Sequence, residues 1–221
     1  MKPYYGPHNG ITIYHGDCRE ILPFLPRCNL LCTDPPYGIG ADRNLRANKQ
    51  HGAAAAPSRD YGQGGWDSEP APQWLIEQAI SKAEWSIVWG GNYFDLPPRP
   101  GWLVWDKDNG SNGYADCELA WTNLPQAIRR IRYRWMGMLQ EHAGQAKEQR
   151  VHPTQKPVDV MAWAITQGSE DSHLILDPFM GSGTTLRAAK DLGRRAIGIE
   201  IEERYAEIAA KRMAQEVLPL K

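Results

Sequence analysis

The stretch ILDPFMGSGTTLRAAKDLG, residues 175–193, decides the fold class of this chain. An aliphatic run ends in an acid, a glycine loop follows the acid, and a helical sequence follows the loop. A strand, a glycine turn and a helix in this order let the backbone approach a nucleotide-like ligand closely in a parallel α/β sheet. An isolated G-x-G is weak evidence, and an ordinary glycine turn is the alternative, so the rest of the chain has to support this interpretation.

Short apolar runs and helical sequences alternate along the chain. The expected strands are Ile11–Tyr14, Leu30–Cys32, Trp85–Trp89, Trp102–Trp105, Leu119–Thr122, Ile128–Trp135, Leu174–Leu176 and Ala196–Ile199. The expected helices are Gln73–Glu84, with an apolar stripe of Trp74, Ile80 and Ala83, then Val158–Gln167, Thr184–Leu192 and Glu202–Val217. This alternation predicts an α/β fold with a mostly parallel sheet covered on both faces. Since no helical sequence interrupts residues 117–135, an antiparallel hairpin is expected there, at the end of the sheet.

Length and composition indicate one intracellular domain. A chain of 221 residues is long enough for one sizeable core and short for two, so residues 1–221 are expected to form a single domain. No apolar run is long enough to cross a bilayer and the N-terminus has no apolar signal core, which predicts a soluble, cytoplasmic protein without a membrane partner. The four cysteines form no C-x-x-C pair and no metal-ligand spacing with histidine, so they are expected to be small buried residues, and no metal is expected.

The unusual polar residues follow the ends of the expected strands. They are Asp17, Asp34–Tyr37, Asp106, Asp177–Gly183 and Glu200. In an open parallel sheet, ligands bind beyond the carboxyl ends of the strands. Turn residues placed at random would fall at both ends of the strands, so this bias predicts one shared pocket.

The glycine loop departs from both common nucleotide-binding patterns. Leu186 stands where the dinucleotide fingerprint requires its third glycine, and the phosphate-binding G-x-x-x-x-G-K motif does not occur in the chain. Glu200, however, ends the next strand at about the distance where an acid binds ribose hydroxyls. The pattern therefore favours an adenosine carrier without a pyrophosphate, and S-adenosylmethionine fits.

The segment TDPPYG, Thr33–Gly38, needs a separate explanation. Each proline lacks a backbone donor and fixes its own φ, so the chain must leave the strand here in one rigid shape. A tight surface turn is one interpretation. The other is that the rigidity directs hydrogen-bond acceptors: the Asp34 carboxylate and the Pro35 carbonyl would accept from an exocyclic amine and free its lone pair, while Tyr37 offers a flat face to a base.

Together these motifs resemble the amino-group DNA methyltransferases of the β arrangement, in which the tetrad precedes the cofactor loop. The matching segments are Gly16–Cys18, Thr33–Gly38, Trp89–Phe94, Gly101–Lys107, Asp116–Thr122, HPTQKP at 152–157, DPFMGSGTT at 177–185 and Gly198–Ile201. The resemblance covers almost the whole chain, and its motifs in this order are highly specific. It implies a Rossmann-like S-adenosylmethionine-dependent methyltransferase fold, with a mostly parallel seven-stranded sheet ending in an antiparallel hairpin.

The resemblance also implies the site residues. The catalytic tetrad would be Asp34, Pro35, Pro36 and Tyr37. For S-adenosylmethionine, Asp17 and Cys18 would flank the adenine, Glu200 would bind the ribose, and the loop that begins at Asp177 would line the methionine part through Phe179, Gly181, Ser182, Gly183 and Thr184. Thr154 and Lys156 would help to hold the cofactor carboxylate. For this last pair a purely structural loop before the next helix is the alternative.

The expected reaction is methylation of the N6 amine of an adenine flipped out of double-stranded DNA. An aspartate at the head of the tetrad favours adenine, and cytosine-N4 is the alternative. Methylation of RNA, methylation of a protein glutamine and an inactive DNA-binding module are further rivals. Cytosine-C5 chemistry is disfavoured, because it would need a Pro-Cys pair, which the chain lacks.

Two segments are expected to serve DNA binding. The glycine-rich loop at 40–66 would close over the flipped base, and the small insertion at 129–150 would read a short or loosely defined target. With a net charge of −1, contacts to DNA must come from local basic patches such as the arginines from 129 to 134. Dimerisation into a homodimer and a restriction-modification, phage or orphan setting are left open by the sequence.

Overall fold

A computed structural model describes residues 1–40, 67–110, 115–136, 139–140 and 154–215. Most of the expected closing loop at 40–66 and most of the expected recognition insertion at 129–150 lie outside the described residues. Within the described part of the chain, no helix is long and apolar enough to cross a membrane.

A nine-stranded sheet forms the centre of the described structure. Its strands are β1 (Tyr5–His8), β2 (Ile11–His15), β3 (Cys28–Thr33), β4 (Ala83–Trp89), β5 (Trp102–Asp106), β6 (Cys117–Thr122), β7 (Arg129–Arg132), β10 (Leu174–Asp177) and β11 (Arg195–Glu200). Their spatial order is β1-β2-β11-β10-β3-β4-β6-β5-β7. The short strands β8 (Trp135–Met136) and β9 (Leu139–Gln140) pair separately as an antiparallel ribbon.

The pairing confirms a mostly parallel sheet with an antiparallel hairpin. Strands β2, β11, β10, β3 and β4 are parallel neighbours, and β6 is antiparallel to both β4 and β5. The seven strands from β2 to β5 match the expected number. Two edge strands extend them, because β1 folds back on β2 and β7 adds beyond β5.

The prediction that both strands of the antiparallel hairpin lie within residues 117–135 is wrong. The antiparallel hairpin is formed by β5 and β6, with Val104 opposite Leu119, whereas β7 runs parallel to β5. The reason is that β4 and β5 already occupy both edges of β6, so the next strand can pair only at the free edge of β5. The expected strand 128–135 is also divided, since β7 ends at Arg132 and β8 begins at Trp135.

Five α-helices are described: α1 (Cys18–Ile21), α2 (Gln73–Ser81), α3 (Val158–Gly168), α4 (Thr184–Asp191) and α5 (Glu203–Ala214). Helix α2 ends earlier than the expected Glu84, because the chain enters β4 at Ala83, which pairs with Cys28 of β3. Its buried face is also different from the expected stripe. Leu75, Ile76 and Ala79 are buried, while Trp74 is half-exposed.

The sheet buries a separate hydrophobic cluster on each face. Leu30 and Cys32 of β3 point into one cluster together with helices α3, α4 and α5, whereas Leu31 points into the other together with α1 and α2. This alternation follows from the two-residue period of a strand, and it accounts for the nearly continuous apolar sequence of a strand covered on both faces. Of the four cysteines, Cys18, Cys28 and Cys32 are buried as expected, but Cys117 is exposed, because it begins β6 at the rim of the sheet.

Candidate active site

A cavity of about 360 Å³ lies beyond the carboxyl ends of the parallel strands and joins the two predicted motifs. The predicted residues that line it are Asp17, Cys18, Asp34, Pro36, Thr154, Lys156, Asp177, Phe179, Gly181, Ser182, Thr184 and Glu200. Pro35, Tyr37 and Gly183 were predicted for the site but are not among its lining residues. The sequence prediction of one shared pocket agrees with this geometry, because β2, β3, β10 and β11 run parallel and end at the same edge.

The glycine loop depends on one close helix contact. Gly183 precedes α4 with a φ of 79°, and a Cβ atom at this position would lie 2.8 Å from the Cβ of Ala209 in α5. A side chain here would meet both backbone strain and a steric clash. The missing side chain therefore lets α5 pack against the loop, and Gly183 shapes the cavity without lining it.

Asp177 braces the glycine loop against the neighbouring strand. Its Oδ1 accepts a hydrogen bond of 2.6 Å from the Thr33 hydroxyl and one of 3.1 Å from the backbone N–H of Phe179. Burial raises the pKa of Asp177 to about 6, although hydrogen bonds from Thr185, Thr33 and Phe179 oppose the shift. Thr33 immediately precedes Asp34, so this hydrogen bond connects the ends of the two motifs.

Glu200 presents a carboxylate to the other end of the cavity. It ends β11, is 9% exposed, and accepts a hydrogen bond of 2.8 Å from the backbone N–H of Glu202. Burial raises its pKa to about 7, while backbone N–H groups of Glu202 and Gly181 lower it. A carboxylate in this position can accept from the two hydroxyls of a ribose.

Asp17 and Cys18 form a less polar wall beside Glu200. Arg19 holds the Asp17 carboxylate through its guanidinium and its backbone N–H, and these hydrogen bonds lower the pKa of Asp17. Burial raises the pKa of the Cys18 thiol to about 12, so the thiol is neutral. A neutral thiol at the start of α1 suits contact with a flat, uncharged ring. These residues and Glu200 fit the nucleoside part of an adenosine cofactor.

The tetrad loop forms hydrogen bonds with Asp67 and Ala71. The backbone N–H groups of Tyr37 and Gly38 each donate to Oδ1 of Asp67 at 2.9 Å, and the N–H of Ala71 donates to the Pro36 carbonyl at 3.0 Å. Asp67 is buried at 2% exposure. Sequence analysis did not identify Asp67 as a site residue, because its partners lie about thirty positions away.

Lys156 forms an ion pair with Asp34 of the tetrad segment. Its Nζ is 2.5 Å from Oδ1 of Asp34, 3.1 Å from Oε2 of Glu118 and 3.2 Å from the Tyr37 hydroxyl, which also donates to Asp34. Burial lowers the pKa of Lys156, but the charges of Asp34 and Glu118 outweigh burial and raise it. The predicted contact between Lys156 and a cofactor carboxylate stays a prediction.

Sequence analysis also missed Glu118, which lies at the start of β6. Burial raises its pKa, but Lys156 and Lys107 outweigh burial and lower it to about 2, so Glu118 is charged. The Lys107 Nζ lies 2.7 Å from Oε1 of Glu118. The available signal was one carboxylate in a strand that begins beside the tetrad, and only the pairing of β6 shows which side of the sheet it faces.

The ring of Tyr37 already makes an aromatic stack. Its centroid is 4.8 Å from that of Tyr93, with an angle of 13° between the rings, and Tyr93 is 49% exposed. Gly90 has a φ of 65°, and a Cβ at this position would lie 2.1 Å from the Tyr37 ring. The segment after β4 therefore leaves room for the Tyr37 ring and covers it with a second, half-exposed ring, a surface suited to stacking a nucleic-acid base.

Comparisons with known proteins agree with this geometry. A family model described as DNA methylase (N6_N4_Mtase) matches residues 104–211. The Type II methyltransferase M.HinfI of Haemophilus influenzae is 28% identical over 246 residues, which cover 92% of this chain and 68% of the relative. The Type II methyltransferase M.ScaI of Streptomyces caespitosus is 28% identical over 269 residues, which cover 99% of this chain and 86% of the relative.

Solved structures show the same fold. PvuII DNA methyltransferase (cytosine-N4-specific) has a TM-score of 0.61 at 16% identity, covering 99% of this chain and 91% of that chain. The M1.HpyAVI–SAM complex has a TM-score of 0.57 at 23% identity, covering 93% and 100%. The predicted Rossmann-like methyltransferase fold is thereby confirmed. By the family model over residues 104–211 and by the two Type II relatives, the chain is similar to N6/N4 DNA methyltransferases.

Proposed function

We propose that this protein transfers a methyl group from S-adenosylmethionine to the N6 amine of an adenine flipped out of double-stranded DNA. The observation that carries the proposal is the shared cavity, which Asp34 of the tetrad and the glycine loop before α4 both line. A methyl donor in the loop and an amine on Asp34 would therefore meet in one enclosed space. Positioning of this kind is the main source of rate in a direct transfer.

S-adenosylmethionine is the proposed cofactor. Its sulfonium carries the methyl group that the reaction transfers. Glu200 would accept from the ribose hydroxyls, Asp17 and Cys18 would flank the adenine, and Phe179 with residues 181–184 would line the methionine part. Thr154 and Lys156 are proposed for the carboxylate. One structure of the same fold was solved as a complex with this cofactor, M1.HpyAVI–SAM, and supports the choice.

Asp34 and Pro35 would activate the amine. The lone pair of an exocyclic amine is delocalised into its ring, and two acceptors that take its N–H groups favour a tetrahedral nitrogen with a free lone pair. Burial raises the pKa of Asp34 above its ordinary value, and the charge of Lys156 opposes this shift in favour of the carboxylate form needed for acceptance. The hydrogen bond that Asp67 accepts from Tyr37 and the one that Ala71 donates to Pro36 would fix the orientation of the acceptors before the base arrives.

The base would stack on the aromatic surface of Tyr37 and Tyr93. An adenine inside a duplex cannot reach Asp34, so the target has to leave the stack. We propose that the segment at 40–66 closes over it and that the segment at 129–150 contacts the target sequence. In the described part of that segment, Arg129, Arg130 and Arg132 lie exposed on β7, where they can contact phosphates.

Cytosine-N4 is the second candidate base, because the solved PvuII enzyme is titled cytosine-N4-specific and has the same fold. Both bases present an exocyclic amine to the same pair of acceptors. The choice of adenine depends on Asp34, where the related cytosine enzymes usually carry serine. An RNA substrate would use the same chemistry, and it is distinguished by the experiment below.

The test is a methyl-transfer assay with purified protein, S-adenosylmethionine and unmethylated DNA, in which the products are hydrolysed to nucleosides and identified by mass spectrometry. N6-methyladenine is expected, and Asp34→Ala should reduce its rate by about 10²–10³, the range for loss of one transition-state hydrogen-bond partner. The exposed-site variant Glu207→Gln is the matched control and should keep the rate. N4-methylcytosine would refute the base assignment, and product on RNA alone would refute DNA as substrate.

A further inference from the structure

We propose that Glu118 is a positioning residue, which receives the ammonium of Lys156 when the target amine takes its place on Asp34. This role rests on the proposed amine methylation. Glu118 lies in the matching segment Asp116–Thr122, but the resemblance gave it no role in the site. The Lys156–Asp34 ion pair is the resting arrangement of the site, and Glu118 receives the Lys156 ammonium when this pair separates.

The resting arrangement places a cation where the substrate must bind. The Nζ of Lys156 lies 2.5 Å from Oδ1 of Asp34, and the same oxygen accepts from the Tyr37 hydroxyl. The incoming amine also requires this carboxylate as its acceptor. Substrate binding therefore has to displace the ammonium from Asp34 or weaken its hold.

A displaced ammonium needs another anionic partner. The Lys156 side chain is only 5% exposed, and a buried charge that loses its partner is strongly unfavourable. Oε2 of Glu118 lies 3.1 Å from the same Nζ. Glu118 is far from the tetrad loop in sequence, but it lies next to the Lys156 ammonium in space. The ammonium is therefore already within ion-pair distance of the carboxylate that would receive it.

Glu118 is held ready for this role by Lys107. Its Oε1 pairs with the Lys107 Nζ at 2.7 Å, which leaves Oε2 for Lys156. Opposite Glu118 on β5 lies Trp105, which is buried. Two carboxylates and two ammonium groups thus form a cluster without net charge, in which Lys156 keeps an anionic partner after it leaves Asp34, and the Asp34 carboxylate then accepts from the target amine.

The experiment compares Glu118→Gln with the wild-type enzyme in steady-state methyl transfer to DNA across pH. The variant keeps the shape but removes the receiving charge, so KM for DNA should rise about tenfold to hundredfold at pH 7, the range for loss of one charge-assisted hydrogen bond. Glu118→Asp keeps the charge and should recover most of the loss. Glu84→Gln, at the opposite end of neighbouring β4, is the matched control and should behave as the wild type.

The pH profile separates this role from a structural one. The charged groups that face Lys156 are Asp34 and Glu118, with the Tyr37 hydroxyl beside them, Lys107 behind Glu118 and Asp177 behind Asp34. Removing the Glu118 charge lowers the pKa of Lys156. The neutral amine then releases Asp34, so kcat/KM of Glu118→Gln should climb toward the wild-type value as the pH rises above neutral.

Each result decides the question. A Glu118→Gln defect that stays constant across pH, or no defect, overturns the inference while the proposed function stands. Absence of methyl transfer by the wild-type enzyme itself overturns the proposed function, and the inference with it. If Glu118→Gln does not fold, Glu118→Ala, which also removes the charge, decides: a raised KM that falls as the pH rises supports the role, and a wild-type KM refutes it.

Discussion

Replacing Glu200 by glutamine should stabilise the cofactor-free protein at neutral pH and weaken cofactor binding. Burial raises the pKa of Glu200 from 4.5 to about 7 in the folded protein. A shift of about 2.5 units corresponds to about 3 kcal/mol, at 1.36 kcal/mol per unit. The folded state thus holds a proton that the unfolded chain releases above pH 4.5, so the stability present below that pH is lost as the pH rises through about 7.

Glutamine removes this loss because it does not ionise. Its amide oxygen can still accept the hydrogen bond that Glu200 receives from the N–H of Glu202 at 2.8 Å, so the local structure is retained. The stability gained by the variant should therefore be near zero at about pH 4.5 and grow to about 3 kcal/mol by about pH 8. Asp177 titrates in both proteins, so only its interaction with the Glu200 charge, a small cause of the Glu200 shift, enters the difference.

The assay is chemical denaturation at a series of pH values, with the exposed-site variant Glu203→Gln as the control, whose stability should stay within about 0.5 kcal/mol of the wild type. Calorimetry with S-adenosylmethionine should show a Kd at least about tenfold weaker for Glu200→Gln, because a charged acceptor for the ribose is lost. A stability difference that does not change between acid and neutral pH would refute the reasoning, since it would mean that Glu200 is not coupled to folding through its proton.

Three further substitutions test the supports of the site. Asp67→Ala should destabilise the protein by about 2–4 kcal/mol in thermal or chemical unfolding, because it leaves two part-buried N–H groups of the tetrad loop without their acceptor. Asp67→Asn keeps that oxygen and should lose much less stability. Equal losses of stability in the two variants would contradict the assignment. Gly183→Ala should cost about 1–3 kcal/mol through strain and its clash with Ala209, and unchanged stability would show that the loop has room. Thr33→Val removes the hydrogen bond to Asp177 and should raise the pKa of that carboxyl, measured by NMR titration; an unchanged or lowered pKa would speak against the bond.

The sequence alone determined the motifs and the edge of the sheet at which they meet. The prolines of Thr33–Gly38 and the glycines before α4 impose backbone shapes that hold wherever the chain folds, because they arise from missing donors and missing side chains. Strand periodicity then placed Asp17, Asp34, Asp177 and Glu200 at the carboxyl ends of parallel strands. These are short-range properties, so an α/β fold with one pocket followed from them.

The tertiary structure decided which groups touch and what charge they carry. Glu118 and Lys156 are 38 positions apart, and only the insertion of β6 between β4 and β5 brings them together on Asp34. The pairing of β7 with β5, in place of the expected hairpin with β6, likewise depends on which sheet edges other strands have occupied. The pKa of Glu200 is raised and that of Glu118 is lowered, although burial raises both. Burial outweighs two backbone hydrogen bonds on Glu200, whereas two ammonium groups outweigh burial on Glu118. Burial and charge–charge interactions depend on distances in space, and the order of residues along the chain does not determine those distances.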